Sequence, residues 1–147
     1  MRQRSRHWQT LLFTALAAGL SDCGDAAGTG GSLIGLYRLT RVNNSPLPVT
    51  YYTDPAGAFY VIADSGRLDI YSPDSLSSTR FVNIVYTPGG PNPGGQVYEL
   101  IRYVRINDRL ILYHDPTPDT AVITGTTITA HRTAPGQDQG YWEYVRQ

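Results

Sequence analysis

Chemistry-bearing side chains are few in this chain of 147 residues, so each can be weighed in turn. Of the three histidines, His7 lies near the N-terminus, which leaves His114 and His131 for the body of the chain. Either imidazole is a candidate general base, but neither has a partner that the sequence points to. His114 and Asp115 are neighbours, and neighbouring residues of a strand face opposite ways. Two histidines far apart are a poor start for zinc, which draws on clusters of His, Cys and carboxylate. Cys23 is the sole cysteine and so excludes an intrachain disulfide. Glu99 and Glu143 are the only glutamates, and nothing in their spacing links them as a catalytic pair. No serine stands in a G-x-S-x-G elbow. Gly89-Gly90 and Gly94-Gly95 precede neither a helical pattern nor a basic residue, so neither reads as a phosphate loop. No catalytic residue, metal site or cofactor is expected.

What remains is suited to contact. Tyrosine is the most unusual component, at 11 residues. Tyr51, Tyr52 and Tyr60 fall in one stretch, and Tyr141, Trp142 and Tyr144 crowd the C-terminal end. Such rings combine apolar bulk with a polar handle, which suits pocket walls and partner surfaces, and they also favour strands. Arg102, Arg105 and Arg109 could meet an anionic ligand or form a solvated face. The basic residues are all arginine, 12 against 12 acids. Removal of Arg2, Arg4, Arg6 and Asp22 with an export segment leaves nine arginines against eleven acids, a formal charge of −2. That balance does not suggest a nucleic-acid partner, which calls for a basic face or stripe.

The N-terminus predicts export. Residues 1–9 carry three arginines and no acid, and Thr10 to Leu20 is an uncharged, mostly apolar run. Eleven residues rise only about 16 Å as a helix, about half the hydrocarbon core of a bilayer. A basic start, a short apolar run and small residues after it describe a signal peptide rather than a membrane span. Leu20-Ser21-Asp22-Cys23 resembles the lipobox of bacterial lipoproteins, in which the cysteine receives diacylglycerol and becomes the new N-terminus. Leu20 and Ser21 match that motif, and Asp22 departs from its usual small residue. Cleavage near Ala26 by the ordinary signal peptidase is the alternative. The reading is therefore a signal peptide over 1–22, a Gly-rich tether over 23–32 and one domain over 33–147. Lipidation of Cys23 would attach the protein to a membrane of the cell envelope, in the outer membrane or facing the periplasm; otherwise it is secreted.

About 115 residues can bury roughly two thirds of their unfolded surface and need no metal or disulfide to fold. From Leu33 onward the pattern is of short Val/Ile/Tyr/Thr-rich segments cut by Gly, Pro, Asn and Asp, which predicts a sandwich or barrel. Strands are expected over 34–43, 49–53, 58–63, 67–71, 79–87, 121–124, 126–132 and 141–146, with a hairpin over 96–115 turning at Asn107-Asp108. In the first strand Tyr37, Leu39 and Arg41 share one face, and Leu36, Arg38, Thr40 and Val42 the other. Asp64-Ser65-Gly66 reads as a turn, and Pro88 to Gly95 as a loop. The hairpin register places Arg105 opposite Leu110, Tyr103 opposite Leu112 and Ile101 opposite His114, all facing inward. An all-β, up-and-down antiparallel barrel of about eight strands satisfies this pattern and hides its edges.

Gly35-x-Tyr37-x-Leu39-x-x-Val42-Asn43 followed by Pro46-Leu47-Pro48 resembles the opening of small bacterial lipocalin-like proteins. Ser65-Gly66-x-Leu68-x-Ile70, Tyr103 before Leu110-x-Leu112, and Gly125-x-x-Ile128-x-Ala130 continue the likeness, which spans nearly all of 33–147. Asn44 stands where that family usually has Gly; Asn also accepts φ > 0. The resemblance implies a barrel whose floor is closed by a first-strand aromatic on a C-terminal arginine, here Tyr37 and Arg146. It implies little about function, because one fold hosts many. Three roles are open. A non-enzymatic binding module would hold a small apolar or amphipathic ligand among Leu68, Ile70, Tyr103, Leu110 and Leu112. An interaction or inhibitor module would meet an envelope protein through its rim loops and tyrosines. An enzyme would rest on His114 or His131.

Overall fold

Alternation of apolar and polar residues runs through this chain in short stretches, and each stretch becomes a strand. The computed structural model describes residues 31–90, 92–113, 117–133 and 139–147. Ten strands follow in order: β1 (Gly35–Val42), β2 (Ser45–Pro46), β3 (Val49–Thr53), β4 (Phe59–Ile70), β5 (Ser75–Tyr86), β6 (Gly94–Ile106), β7 (Arg109–Tyr113), β8 (Asp119–Thr124), β9 (Thr127–Arg132) and β10 (Gly140–Arg146). Among the described residues there is no helix. Every pairing is antiparallel, each of β4 to β9 joins its successor, and β10 pairs β1. A further pairing of β1 with β4, Gly35 to Arg38 against Ile70 to Arg67, closes an eight-stranded barrel. Beyond that short seam β1 is extended by β2 and β4 by β3.

Turn chemistry sets the register. Asn43 and Asn44 take φ of 50° and 66° between β1 and β2, the left-handed region that Asn tolerates better than other side chains. Asn107 does the same at 58° between β6 and β7. The hairpin then pairs Tyr103 with Leu112 and Arg105 with Leu110, as expected from the sequence.

Two expectations about the first half are corrected. Asp64-Ser65-Gly66 is not a turn: β4 is one strand of 12 residues with a bulge between Ala63 and Ser65. Gly66 lies inside the wall, where a Cβ would meet the Thr79 carbonyl at 3.0 Å and Leu39 at 3.1 Å. Its missing side chain lets β1 close on β4, a close approach that a glycine in a strand often marks. A second bulge falls between Leu39 and Arg41. It turns Val42 into the core and leaves Arg41 outside, reversing the faces that simple alternation assigns them.

The barrel has two unlike ends. The β4–β5, β6–β7 and β8–β9 turns and the start of β1 form the floor. The ends of β3, β5, β7 and β9 and the starts of β4, β6, β8 and β10 lie at the mouth. Floor-side inward residues are apolar and packed: Leu39, Leu68, Ile70, Leu76, Ile101 and Ile128 are at most 4% exposed. Each contributes about 1.5–3 kcal/mol by leaving water. The floor is sealed by the chain entering β1. Arg146 donates to the carbonyls of Ser32 (3.1 Å) and Ile34 (2.8 Å), Arg105 to that of Gly31 (3.1 Å), and the Tyr37 hydroxyl to that of Leu33 (3.0 Å). Every strand, pairing and buried side chain just described lies within 31–147, so that segment carries the whole closed cycle.

Candidate binding site

Two of the expected site groups are brought together on the floor side. Leu68, Ile70, Tyr103, Leu110 and Leu112 belong to one contiguous core cluster and are 0–4% exposed. They pack against one another and against Tyr37, Ala121 and Ile128 in that cluster. Burial holds the Tyr103 phenol above the ordinary tyrosine range, and its hydroxyl donates to the Ser72 carbonyl at 2.9 Å. Tyr37 and Arg146 stand opposite each other in the β1–β10 register, with the Arg146 guanidinium carbon 5.9 Å from the ring centroid. That distance is within cation–π range.

Toward the mouth the interior changes character. Arg80 on β5 is 0% exposed, and its guanidinium lies 3.2 Å from Glu99 on β6. Glu99 also takes both arms of Arg132 on β9, at 3.1 Å each. Arg132 in turn lies 3.4 Å from Asp119 on β8, a fully buried carboxylate. Asp119 accepts from the Thr133 amide at 2.7 Å and its hydroxyl at 3.1 Å. Strands β6 and β9 are not neighbours in the sheet, so Glu99 and Arg132 meet only across the lumen.

Aromatic and hydroxyl groups wall this cluster. The Arg80 guanidinium carbon sits 5.2 Å from the Trp142 ring centroid. Trp142 meets Tyr51 edge-on at 5.0 Å. Tyr144 is buried beside Arg80 and Arg132, and desolvation holds its phenol above the ordinary tyrosine range. Of the four charged groups Glu99 is the most open to water, its side chain 25% exposed against 8% for Arg132. Its charge faces two cations, so it serves as their counterion at the solvent-side end of the cluster.

Sequence reading singled out none of Arg80, Asp119 and Arg132, and set Glu99 aside. The signal was parity. Arg80 shares its strand face with Val82, Glu99 with Ile101 and Tyr103, Asp119 with Ala121, and Arg132 with Ile128 and Ala130. Charged residues of both signs at inward positions of a barrel have to meet inside it.

Other candidates fall elsewhere. His131 lies on the outer side of β9, stacked on Tyr141 at 4.5 Å. His114 and Cys23 lie outside the described residues. Tyr52, Phe59 and Tyr86 form a chain of rings at the mouth rim, each contact 5.9 Å between centroids. Arg105 reaches the floor, while Arg102 is exposed beside Asp74, 3.8 Å away. Ser72 and Ser75 donate to the Asp74 carboxylate and hold it below the usual carboxylate range. Among the described residues no three of His, Cys, Asp and Glu are grouped to hold a metal.

No protein-family model, curated protein or solved structure matches the chain. The likeness to lipocalin-like proteins therefore rests on the motifs of the chain itself.

Proposed function

We propose that this is a non-enzymatic binding barrel of the bacterial cell envelope, exported and anchored through Cys23, that takes a small amphipathic anion at its mouth. The observation that carries the binding reading is the charged cluster. In the lumen Arg80 and Arg132 share the part-solvated carboxylate of Glu99, with the buried Asp119 as a second counterion to Arg132, beside the Trp142 and Tyr51 rings. A ligand carboxylate, sulfonate or phosphate entering from the mouth would compete with Glu99 for Arg80 and Arg132. Its apolar part would lie against Trp142 and Tyr51. The packed floor does not offer the deep apolar hole first expected, so the ligand sits high in the barrel.

Octanoate, a seven-carbon tail on a carboxylate, is the probe of choice. Titrated into the isotopically labelled protein, it should move the Arg80 and Arg132 side-chain and Trp142 indole resonances in a saturable way. Shifts confined to the outer wall, or none, overturn the reading. Export and anchoring rest on the N-terminal sequence. Mass spectrometry of the membrane-extracted protein should find an acylated Cys23 as the first residue.

A second reading, contact with an envelope protein, draws on the Tyr52–Phe59–Tyr86 rings at the rim. Co-purification from envelope fractions should then depend on residues 87–93, between β5 and β6, and on Tyr86.

A further inference from the structure

We infer that the floor end of the barrel is a seat for an anionic phospholipid surface, so that the barrel stands on the membrane with its mouth turned away. Three observations converge on that end.

The first is charge. Six arginines lie in the floor half by register: Arg38, Arg67, Arg102, Arg105, Arg109 and Arg146. Three aspartates accompany them, Asp69, Asp74 and Asp108. On the outer wall of the mouth half the balance reverses: among the described residues one cation, Arg41, stands with three acids, Asp54, Asp64 and Glu143. The lumenal cluster, two arginines with two acids, cancels itself. The near-neutral total thus conceals a barrel with a basic base and an acidic top.

The second is apolar exposure. Ile34, Leu36, Tyr71 and Ile106 ring the floor, and Val104 and Val122 stand just above them on the outer wall. All six are 41–53% exposed. A surface that pairs cations with apolar side chains meets both the head groups and the acyl boundary of a bilayer.

The third is the route of the chain. Arg105, Arg146 and Tyr37 hold residues 31–34 across the floor, so the preceding chain leaves from that end. Seven residues lie between Cys23 and Gly31, and the eight Cα-to-Cα steps reach at most about 29 Å. The tether argument rests on the anchoring proposed above; the charge and apolar arguments do not.

The test uses residues 31–147, which hold the closed barrel and lack Cys23, alongside the full chain. Binding is measured by co-sedimentation with vesicles of phosphatidylcholine, alone or mixed equally with phosphatidylglycerol, at low and high salt. The segment should bind the anionic vesicles at low salt and release at high salt. An arginine at the surface is worth about 1 kcal/mol, so Arg109→Glu should lower partitioning at least about fivefold. Arg41→Glu, the same charge change at the mouth, should lower it less than about twofold. Ile106→Ser, which changes no charge, should also weaken the low-salt binding, because it removes an apolar contact at the floor. Equal losses for Arg109→Glu and Arg41→Glu would show that net charge alone acts and would overturn the seat. So would indifference to phosphatidylglycerol, tighter binding to a DNA duplex, or self-association in place of vesicle binding. An unmodified Cys23 in the membrane-extracted protein would remove the anchor and leave these outcomes untouched.

Discussion

Replacing Glu99 by Gln tests the lumenal cluster most economically, because it changes one charge and almost no volume. At 3.2 Å, the Arg80–Glu99 distance, opposite unit charges attract by about 5 kcal/mol at an effective dielectric constant of about 20. The Arg132 contact at 3.1 Å adds about as much again. Most of this gross figure is offset by taking the charges out of water, and removing one partner of a buried pair typically costs about 3–5 kcal/mol. Glu99 is one-quarter exposed and Gln retains one acceptor oxygen, so about 2–4 kcal/mol is expected here. Equilibrium unfolding in urea should show the midpoint falling by about 1–2 M with an unchanged slope. Arg80→Met and Glu99→Leu, singly and together, complete a cycle whose coupling should exceed about 1 kcal/mol. A midpoint unmoved by Glu99→Gln, or additive single effects, would refute the claim that Glu99 neutralises the lumenal arginines.

Four further outcomes follow from the packing and the titrations. Leu112→Ala opens a cavity in the packed floor half and should cost about 2–5 kcal/mol in the same assay. Gly140→Ala should destabilise by about 1–3 kcal/mol, because Gly140 sits at φ 132° and a Cβ there collides with the Asn43 side chain that accepts the Tyr141 amide. Tyr103 and Tyr144 are held protonated by burial, whereas in the unfolded chain they ionise near their ordinary value of 10.0. Above that pH the unfolded state carries fewer protons than the folded one, so stability is full below about 10 and falls as pH rises further. Urea midpoints across that range should show the decline, and Tyr144→Phe should flatten it. Asp74 works in the opposite sense: its carboxyl is held low by Ser72 and Ser75, so its contribution is present above its ordinary value of 3.8 and lost as pH falls below it.

Local chemistry made much of the fold legible. The Asn107-Asp108 turn and the alternation around it give the β6–β7 register directly, and Tyr37 opposite Arg146 was accessible through the likeness of the first and last strands to lipocalin-like proteins. The bulges were not, because an extra residue in a strand leaves no mark in alternation until the partner strand is known. Asp64-Ser65-Gly66 has turn composition, yet Gly66 is needed for the approach of Leu39 rather than for a reversal. The charged cluster was hidden for a different reason. Arg80, Glu99, Asp119 and Arg132 come from four strands, and each alone resembles a solvated strand residue. Only the closure of the sheet faces them toward one another. The polarity of the outer wall is likewise invisible in a near-zero net charge, since it depends on which residues the turns gather at each end.

The same Glu99→Gln variant separates a structural cluster from a binding one. If Arg80 and Arg132 receive an anionic head group, removing the competing carboxylate must strengthen binding even as it weakens the fold. Calorimetric titration of octanoate into wild type and Glu99→Gln at neutral pH measures this directly. Relief of a like charge at contact distance predicts affinity about tenfold tighter in the variant, about 1.4 kcal/mol. Affinity that is unchanged or lost, in a variant that is folded at the temperature of the titration, would contradict the proposed site.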